Sequence, residues 1–362
     1  MKLKGLFVVI GIFLCMSCSD DSGSEAEANP TFEDGFFIVN EGNQAGQKAS
    51  IFFDDYQGNL DYLNVDIYEL ANEEPVEGAI RDLVIEGAYA YLLIDSPEKE
   101  NNHIEILDKT NFELLRKVED GVGKGEKLLI EGDRAYVLSY SPNNGQNEYV
   151  IQVIDLEADS LITSVPTGCY FQEFNPFGEP YFIKNNQKIY THSLVANLIV
   201  EMDLETNSIS HTYPTTTRPT SMVFANNELY YSGLNDAVQG AYTGLYKINV
   251  NTGNITTFLE IDYRLIKNLS YSNGMFSLMF FESPHLHDYG TIYSWNGNDA
   301  ILFDPIEEAG GYSFAKNMTT YHLRNNKLYF TYDDSRHILD LSSQSFVRHS
   351  IAGPNTSKIV FE

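Results

Sequence analysis

A repeat constrains this chain more than any other feature. A turn residue followed by a short apolar strand with an aromatic at its centre recurs along it. The copies are IEGAYAYLL around Tyr91, IEGDRAYVL around Tyr136, PFGEPYFI around Tyr181, ANNELYY around Tyr230, SNGMFSLMF around Phe276 and RNNKLYFTY around Tyr329. The intervals between these aromatics are 45, 45, 49, 46 and 53 residues. GFFIVN at Gly35–Asn40 supplies an earlier, seventh copy. Downstream in each copy an apolar strand ends on Asp or Asn, then a polar turn, then another strand. The turn residues are Asp54 or Asp55, Asp108, Asp155, Asp203, Asn249, Asn296 and Asp340. Asp and Asn suit that place because their side chains bond the backbone two residues on and tolerate left-handed turns. The flanks, such as VIQVIDLEADSLITSV and GLYKINVNTGNITTFL, alternate with period two. Each unit therefore reads as two hairpins. Seven such units without helical periodicity predict an all-β chain: a seven-bladed β-propeller with four-stranded antiparallel blades.

The chain ends predict how the ring closes. Six copies begin with an apolar strand before their turn, as in PTSMVF at Pro219–Phe224, whereas the first copy begins directly at Phe36. Asn355–Phe361, NTSKIVF, matches the missing strand. It is expected to complete blade one beside Phe36–Asn40 and so remove two exposed edges. The propeller domain is expected to span 34–362.

The N-terminus bears on the compartment. Lys2 and Lys4 precede an apolar run, Leu6–Met16, too short to span a bilayer as a helix. Cys15-Met16-Ser17-Cys18 resembles a bacterial lipoprotein box, with Cys15 where Leu is usual. Residues 1–17 then read as signal peptide, with Cys18 as the lipidated first residue of the mature chain. The alternative is an ordinary secretory signal cleaved near Cys18. The acidic, serine-bearing stretch that follows resembles the surface-export signal of Bacteroidota lipoproteins. Residues 18–33 read as a flexible acidic tether on the outer face of the outer membrane. With Cys15 removed and Cys18 lipidated, Cys169 alone remains, so no internal disulfide is expected and the core must stabilise the fold. The 51 acidic against 23 basic residues argue against nucleic acid and against anionic membrane surfaces as partners; solubility at a crowded surface accounts for that balance.

GNQAG, within VNEGNQAGQKASIFFDD, looks at first like a phosphate loop. Lys48 is followed by Ala49, however, and the next segment reads as a strand instead of a helix. The stretch is a hairpin loop, with Asn43–Lys48 on the rim of one face. Polar segments at the same place in other blades are Asp95–Asn102, Tyr140–Asn147, Lys184–Asn197, Gly233–Tyr242 and Glu282–Gly290. Long loops on one face of a rigid ring form a binding surface; tolerated insertion is the alternative. The connections entering each blade near the axis carry Arg81, Lys124, Lys127, Arg218, Arg264, Lys267 and Lys358, interleaved with Tyr170 and Asn317. They form either a positive funnel for an anionic or polar ligand or ion pairs with neighbours such as Asp82, Glu126 and Glu173. His285-Leu286-His287-Asp288 lies in a loop without a third histidine, so ligand contact with Tyr289 is favoured over metal binding. No G-x-S-x-G, calcium loop or cysteine pair is present. Acidic pairs are too abundant to indicate a glycosidase. Asp159-Ser160-Leu161 resembles a short O-glycosylation acceptor, and Trp295 reads as blade packing.

NEGN at Asn40–Asn43, ASIFFDDYQGNL after it, and the repeats resemble the YncE-like surface lipoproteins of Bacteroidota. The similarity covers nearly all of the mature chain. The hairpin NQAGQKASIFF lacks the aromatic often found after NEGN in that family. Within the group, the BtuG-type lipoproteins capture cobalamin above a TonB-dependent transporter. The resemblance thus implies a ligand-capturing lid with no cofactor, metal or catalytic residue, cobalamin as first candidate ligand, and a TonB-dependent outer-membrane transporter as partner. Candidate ligand contacts are Arg81, Lys124, Tyr170, Arg218, Tyr242, Arg264, His285, His287, Tyr289 and Asn317. A protein-interaction scaffold and a propeller lyase, hydrolase or quinoprotein are the other classes, since propellers host all three.

Overall fold

The Asp and Asn side chains at the second turn of four units fold the backbone as their chemistry predicts. Asp108 Oδ1 accepts from Thr110 N–H at 2.7 Å, and Asp155 Oδ1 from Glu157 and Ala158 N–H. Asp203 Oδ1 accepts from Glu205 and Thr206 N–H, and Asn249 Oδ1 from Asn251 and Thr252 N–H. Each turn is completed by a residue in the left-handed region: Phe112, Asp159, Asn207 or Gly253. These contacts belong to a computed structural model of the chain. It describes residues 31–42, 47–55, 65–96, 102–143, 146–171, 180–234, 243–261, 264–272, 274–282, 290–295, 300–303, 321–324, 327–332, 335–340, 345–350 and 356–361. The chain divides between Pro30 and Thr31. Residues 1–30, Cys18 included, lie outside the described residues, as do Tyr242, His285, His287, Tyr289 and Asn317.

Among the described residues, strands form six four-stranded sheets and one three-stranded sheet, all antiparallel. Sheet one holds Thr356–Phe361, Gly35–Asn40 and Ser50–Asp55, in that order across the sheet. Sheet two is Ala79–Glu86, Tyr89–Asp95, His103–Asp108 and Leu114–Val118; sheet three is Lys124–Glu131, Arg134–Asn143, Gln146–Asp155 and Ser160–Phe171. Sheet four is Phe182–Asn185, Lys188–His192, Leu198–Asp203 and Ser208–Pro214; sheet five is Arg218–Ala225, Glu228–Leu234, Thr243–Ile248 and Ile255–Ile261. Sheet six is Arg264–Ser272, Met275–Glu282, Gly290–Trp295 and Ala300–Phe303; sheet seven is Tyr321–Arg324, Lys327–Tyr332, Ser335–Asp340 and Ser345–Ser350. The leading strands of consecutive sheets touch one another in cyclic order, and that of sheet seven touches Thr356–Phe361 of sheet one.

The core lies between sheets. Tyr91 and Leu93 face Leu128 and Val137 of sheet three, while the alternate Leu92 and Ile94 face Phe37 and Ile51 of sheet one. Tyr136 and Leu138 likewise pack on Ile189 and Met202 of sheet four. With both faces buried, such strands read as nearly continuous apolar runs. Sheet one meets sheet seven through Phe36, Ile38 and Ile359 against Tyr329 and Ile338, with Phe361 packed alongside. The architecture is an all-β propeller of four-stranded antiparallel blades, except that sheet one, expected to be four-stranded, has three strands among the described residues. The C-terminal strand pairs with Phe36–Asn40 as the sequence predicts: Phe36 lies opposite Phe361 and Ile38 opposite Ile359.

Four readings of the sequence need correction. The tether ends earlier than residue 33, because Phe32 is fully buried against Phe53 and Phe112 and its N–H donates to Thr110 O at 2.8 Å. The aromatic strand of sheet four is centred on Tyr190, not Tyr181. The turn is at Asn186, which takes φ 52°, and Lys188–His192 is a strand inside what reads as a polar loop, Lys184–Asn197. Tyr140–Asn147 is likewise mostly strand, since Ser141, Pro142 and Asn143 pair with Glu148, Asn147 and Gln146. A helix, Ile67–Asn72, also covers the outer edge of sheet one; Asp66 Oδ1 caps it at Tyr68 N–H and also accepts from Ile51 N–H, an edge donor. At six residues it is too short to leave a helical period in the sequence.

Bulges interrupt the outer edges of four other sheets. The fourth strands of sheets two to five extrude Leu115, Ile162, Ser210 and Phe258 from their pairing. Each breaks the flat ladder that a foreign strand would need.

Candidate functional site

Arg81, Lys124, Arg218 and Arg264 come to the same end of the ring because each lies at or near the start of a leading strand. Lys124 is opposite Tyr140, Arg218 opposite Leu234 and Arg264 opposite Glu282. A bulge follows in each strand. The pairing skips Arg81, Glu126, Thr220 and Lys267 in sheets two, three, five and six, and Ser357 in the terminal strand. A bulge turns the strand and re-aims the neighbouring side chains. The residues that follow it, Asp82, Lys127, Ser221, Asn268 and Lys358, hold equivalent positions in their sheets.

Asp82 shows what that position does. Its side chain is almost fully buried; Oδ1 accepts from Leu83 N–H at 2.9 Å and Oδ2 from Leu128 N–H of sheet three at 2.8 Å. Lys358 of sheet one forms an ion pair with the same carboxylate and donates to Leu83 O at 3.4 Å. One Asp therefore joins the leading strands of three consecutive sheets. Burial lowers the Lys358 ammonium to about 8, against the opposing pull of Glu41. Glu41 comes from the NEGN turn. Its carbonyl accepts from Ile80 N–H at 2.8 Å, and the next residue, Gly42, has φ 70°. A Cβ on Gly42 would meet Ala49 N at 2.5 Å, so the turn needs glycine for both conformation and space.

Arg81 forms an ion pair with Asp95 through Nε, at 3.0 Å, and Nη2. Burial works to lower the guanidinium, but Asp95 together with Glu126 and Glu41 outweighs it and raises the pKa. Lys124 is exposed and holds its ammonium 5.1 Å from the centre of the Tyr140 ring. Tyr170, at the same end of the fourth strand of sheet three, is fastened by its backbone: its N–H donates to Ser193 Oγ and its carbonyl accepts from Ser193 Oγ and Leu194 N–H. Arg218 is half-buried.

Thus five of the sequence-predicted ligand contacts, Arg81, Lys124, Tyr170, Arg218 and Arg264, lie at one end of the ring. Asp82 and Glu126 are legible in the sequence as pairing partners, whereas Asp95, which holds Arg81, is not. It sits fourteen residues away in sequence and meets Arg81 only because the first hairpin of sheet two sets the two strands side by side. Two further buried carboxylates sit on third strands. Glu105 accepts from Lys117 Nζ at 2.8 Å, with His103 at 3.2 Å; Glu201 accepts from Tyr190, Tyr213 and Ser210 hydroxyls. Burial works to raise both pKa values, and these hydrogen bonds lower them overall. Among the described residues, no group of three His, Cys, Asp or Glu is set to hold a metal ion, and no helix is long and apolar enough to cross a membrane.

The fold and this end of the ring define the chain as a β-propeller with a charged, bulged set of leading strands. Hydrazine synthase from Kuenenia stuttgartiensis shares the fold with a TM-score of 0.53 at 10% identity, over 74% of this chain and 79% of that one. BamB from Moraxella catarrhalis is similar with a TM-score of 0.48 at 14% identity, over 78% and 76% of the two chains. The Pan2 WD40 domain from Neurospora crassa gives 0.47 at 9%, over 73% and 76%. At these identities the likeness concerns fold alone. No protein-family model and no curated protein sequence matches the chain.

Proposed function

We propose that this chain is a lipid-anchored protein of the outer cell surface that captures a small-molecule nutrient and passes it to a TonB-dependent outer-membrane transporter. Each of its seven sheets is one blade of a closed propeller, and the ligand face is the end where the leading strands begin. The resemblance of NEGN and the lipoprotein box to YncE-like surface lipoproteins makes a corrinoid, cobalamin first, the candidate ligand.

The observation that carries this reading is the convergence of Arg81, Lys124, Arg218, Arg264 and Tyr170 at one end of a rigid ring. Rigid strands holding polar groups around an axis suit binding more than turnover. Arg81 and Lys358 pair there with carboxylates and Lys124 with a ring, and among the described residues no nucleophile is set against a base. Calorimetry of the soluble domain with cobalamin and related corrinoids is expected to give saturable heat at one site per chain. A flat titration with every corrinoid sinks the corrinoid reading.

A further inference from the structure

The geometry points to a ligand of no net charge at this end of the ring, one recognised through carbonyl, amide or hydroxyl groups and not through a phosphate or carboxylate. This inference rests on the capture reading above only for where the ligand sits. Its ground is that two of the cations which look in the sequence like a positive funnel, Arg81 and Lys358, are met by carboxylates. Arg81, the cation best suited by its planar fork to grip an oxyanion, spends Nε and Nη2 on Asp95, with Glu126 and Glu41 acting on it as well. Lys358 is taken by Asp82, and Glu41 acts on it too. Asp82 is itself fixed by two backbone N–H groups, so it cannot swing away to free the lysine. Lys124 lies over an aromatic ring.

An anion approaching this cluster meets carboxylates beside every ion-paired cation. To take the Nε and Nη2 edge of Arg81 it must displace Asp95, leaving a half-buried carboxylate without its partner. A carbonyl or amide group faces no such exchange. It trades water hydrogen bonds for protein ones, and the fixed dipoles of the ion pairs offer it both donors and acceptors. A cluster of paired charges in one rigid ring therefore selects against net charge while remaining strongly polar.

The test uses inorganic phosphate, titrated against chloride at matched ionic strength and read as a rise in melting temperature. The parent chain is expected to show no rise beyond that in chloride. Asp95→Asn keeps the shape but removes the compensating charge, and is expected to bind phosphate about tenfold more tightly than the parent. Glu126→Gln acts from outside the direct pair and carries the same comparison should Asp95→Asn fail to fold. Phosphate stabilising the parent as much as the variants overturns the inference, and so does the absence of any gain in both. A cyanocobalamin titration of the parent is run alongside and read separately: its failure removes the corrinoid and leaves the phosphate comparison to decide the charge class.

Discussion

His192 is completely enclosed, and its two ring nitrogens face backbone groups of opposite kind. Nε2 accepts from Tyr181 N–H at 3.2 Å, while Nδ1 lies 3.3 Å from the Ser193 carbonyl oxygen. Only a neutral ring with its proton on Nδ1 satisfies both. Burial lowers its pKa to about 4, the bond to Ser193 opposing. In the unfolded chain a histidine titrates near ~6.5. Between those values the unfolded chain binds the extra proton, so acidification through that window favours unfolding; above it His192 adds no pH dependence. The melting temperature is therefore expected to fall as pH drops from about 6.5 to about 4, with His192 supplying up to about 3 kcal/mol of the loss. His192→Gln should flatten that part of the curve. Equal slopes for parent and variant would remove the role given to the ring. Glu105 and Glu201, lowered from the carboxylate range, lose their contributions only at more acid pH, which keeps the two effects apart. None of this is legible in the sequence, where His192 is one polar residue in an apparent loop. Its burial follows from the strand Lys188–His192, which only the sheet reveals.

At the scale of elements, the terminal strand carries the most. Thr356–Phe361 brings Ile359 fully into the core and sets Phe361 5.5 Å from Phe36 and 5.0 Å from Tyr329. It also brings Lys358 to Asp82. Removing residues 355–362 exposes the inner edge of sheet one and leaves Asp82 buried without its cation. Losses of several kcal/mol follow from either event alone. The truncated chain is expected to melt at least ~10 °C below the parent or to fail to fold, as read by circular dichroism. A drop of only a degree or two would show that the ring does not depend on this strand. The role of the strand is legible beforehand because NTSKIVF matches the leading-strand pattern absent from the first unit. The Asp turns are legible for a similar reason: Asp155 and Asp203 act through local hydrogen bonds that depend on little beyond their own turn. Misreadings occur where a tertiary partner decides. Tyr181 resembles the repeat aromatic, yet Asn186 makes the turn and Tyr190 enters the core. Pro142 looks like a loop residue, yet the long hairpin of sheet three seats it opposite Asn147.

At the scale of the whole molecule, stability rests on cores between neighbouring sheets and on closure of the ring. Cys169 is the one cysteine among the described residues; it is free and buried, and burial pushes its thiol up to about 12, so it resists oxidation. A chain carrying 51 acidic against 23 basic residues is repelled by anionic lipid headgroups, so a surface location needs an anchor other than charge. Phe32 adds a geometric reason, because it fixes the start of the propeller domain in the core between sheets one and two. A tether from Cys18 to Phe32 would thus be held at both ends, by lipid and by core. Phe32 lies fourteen residues after Cys18, a contour of at most about 50 Å. Cells fed radiolabelled palmitate are accordingly expected to label the parent protein and keep it with the outer membrane. Cys18→Ala should lose the label and leave the membrane fraction, while its propeller domain melts at the same temperature. Retention of label in Cys18→Ala would move the anchor elsewhere in the chain. An unlabelled parent would favour an ordinary secretory signal, and delivery to a transporter would then have to begin from a diffusing protein.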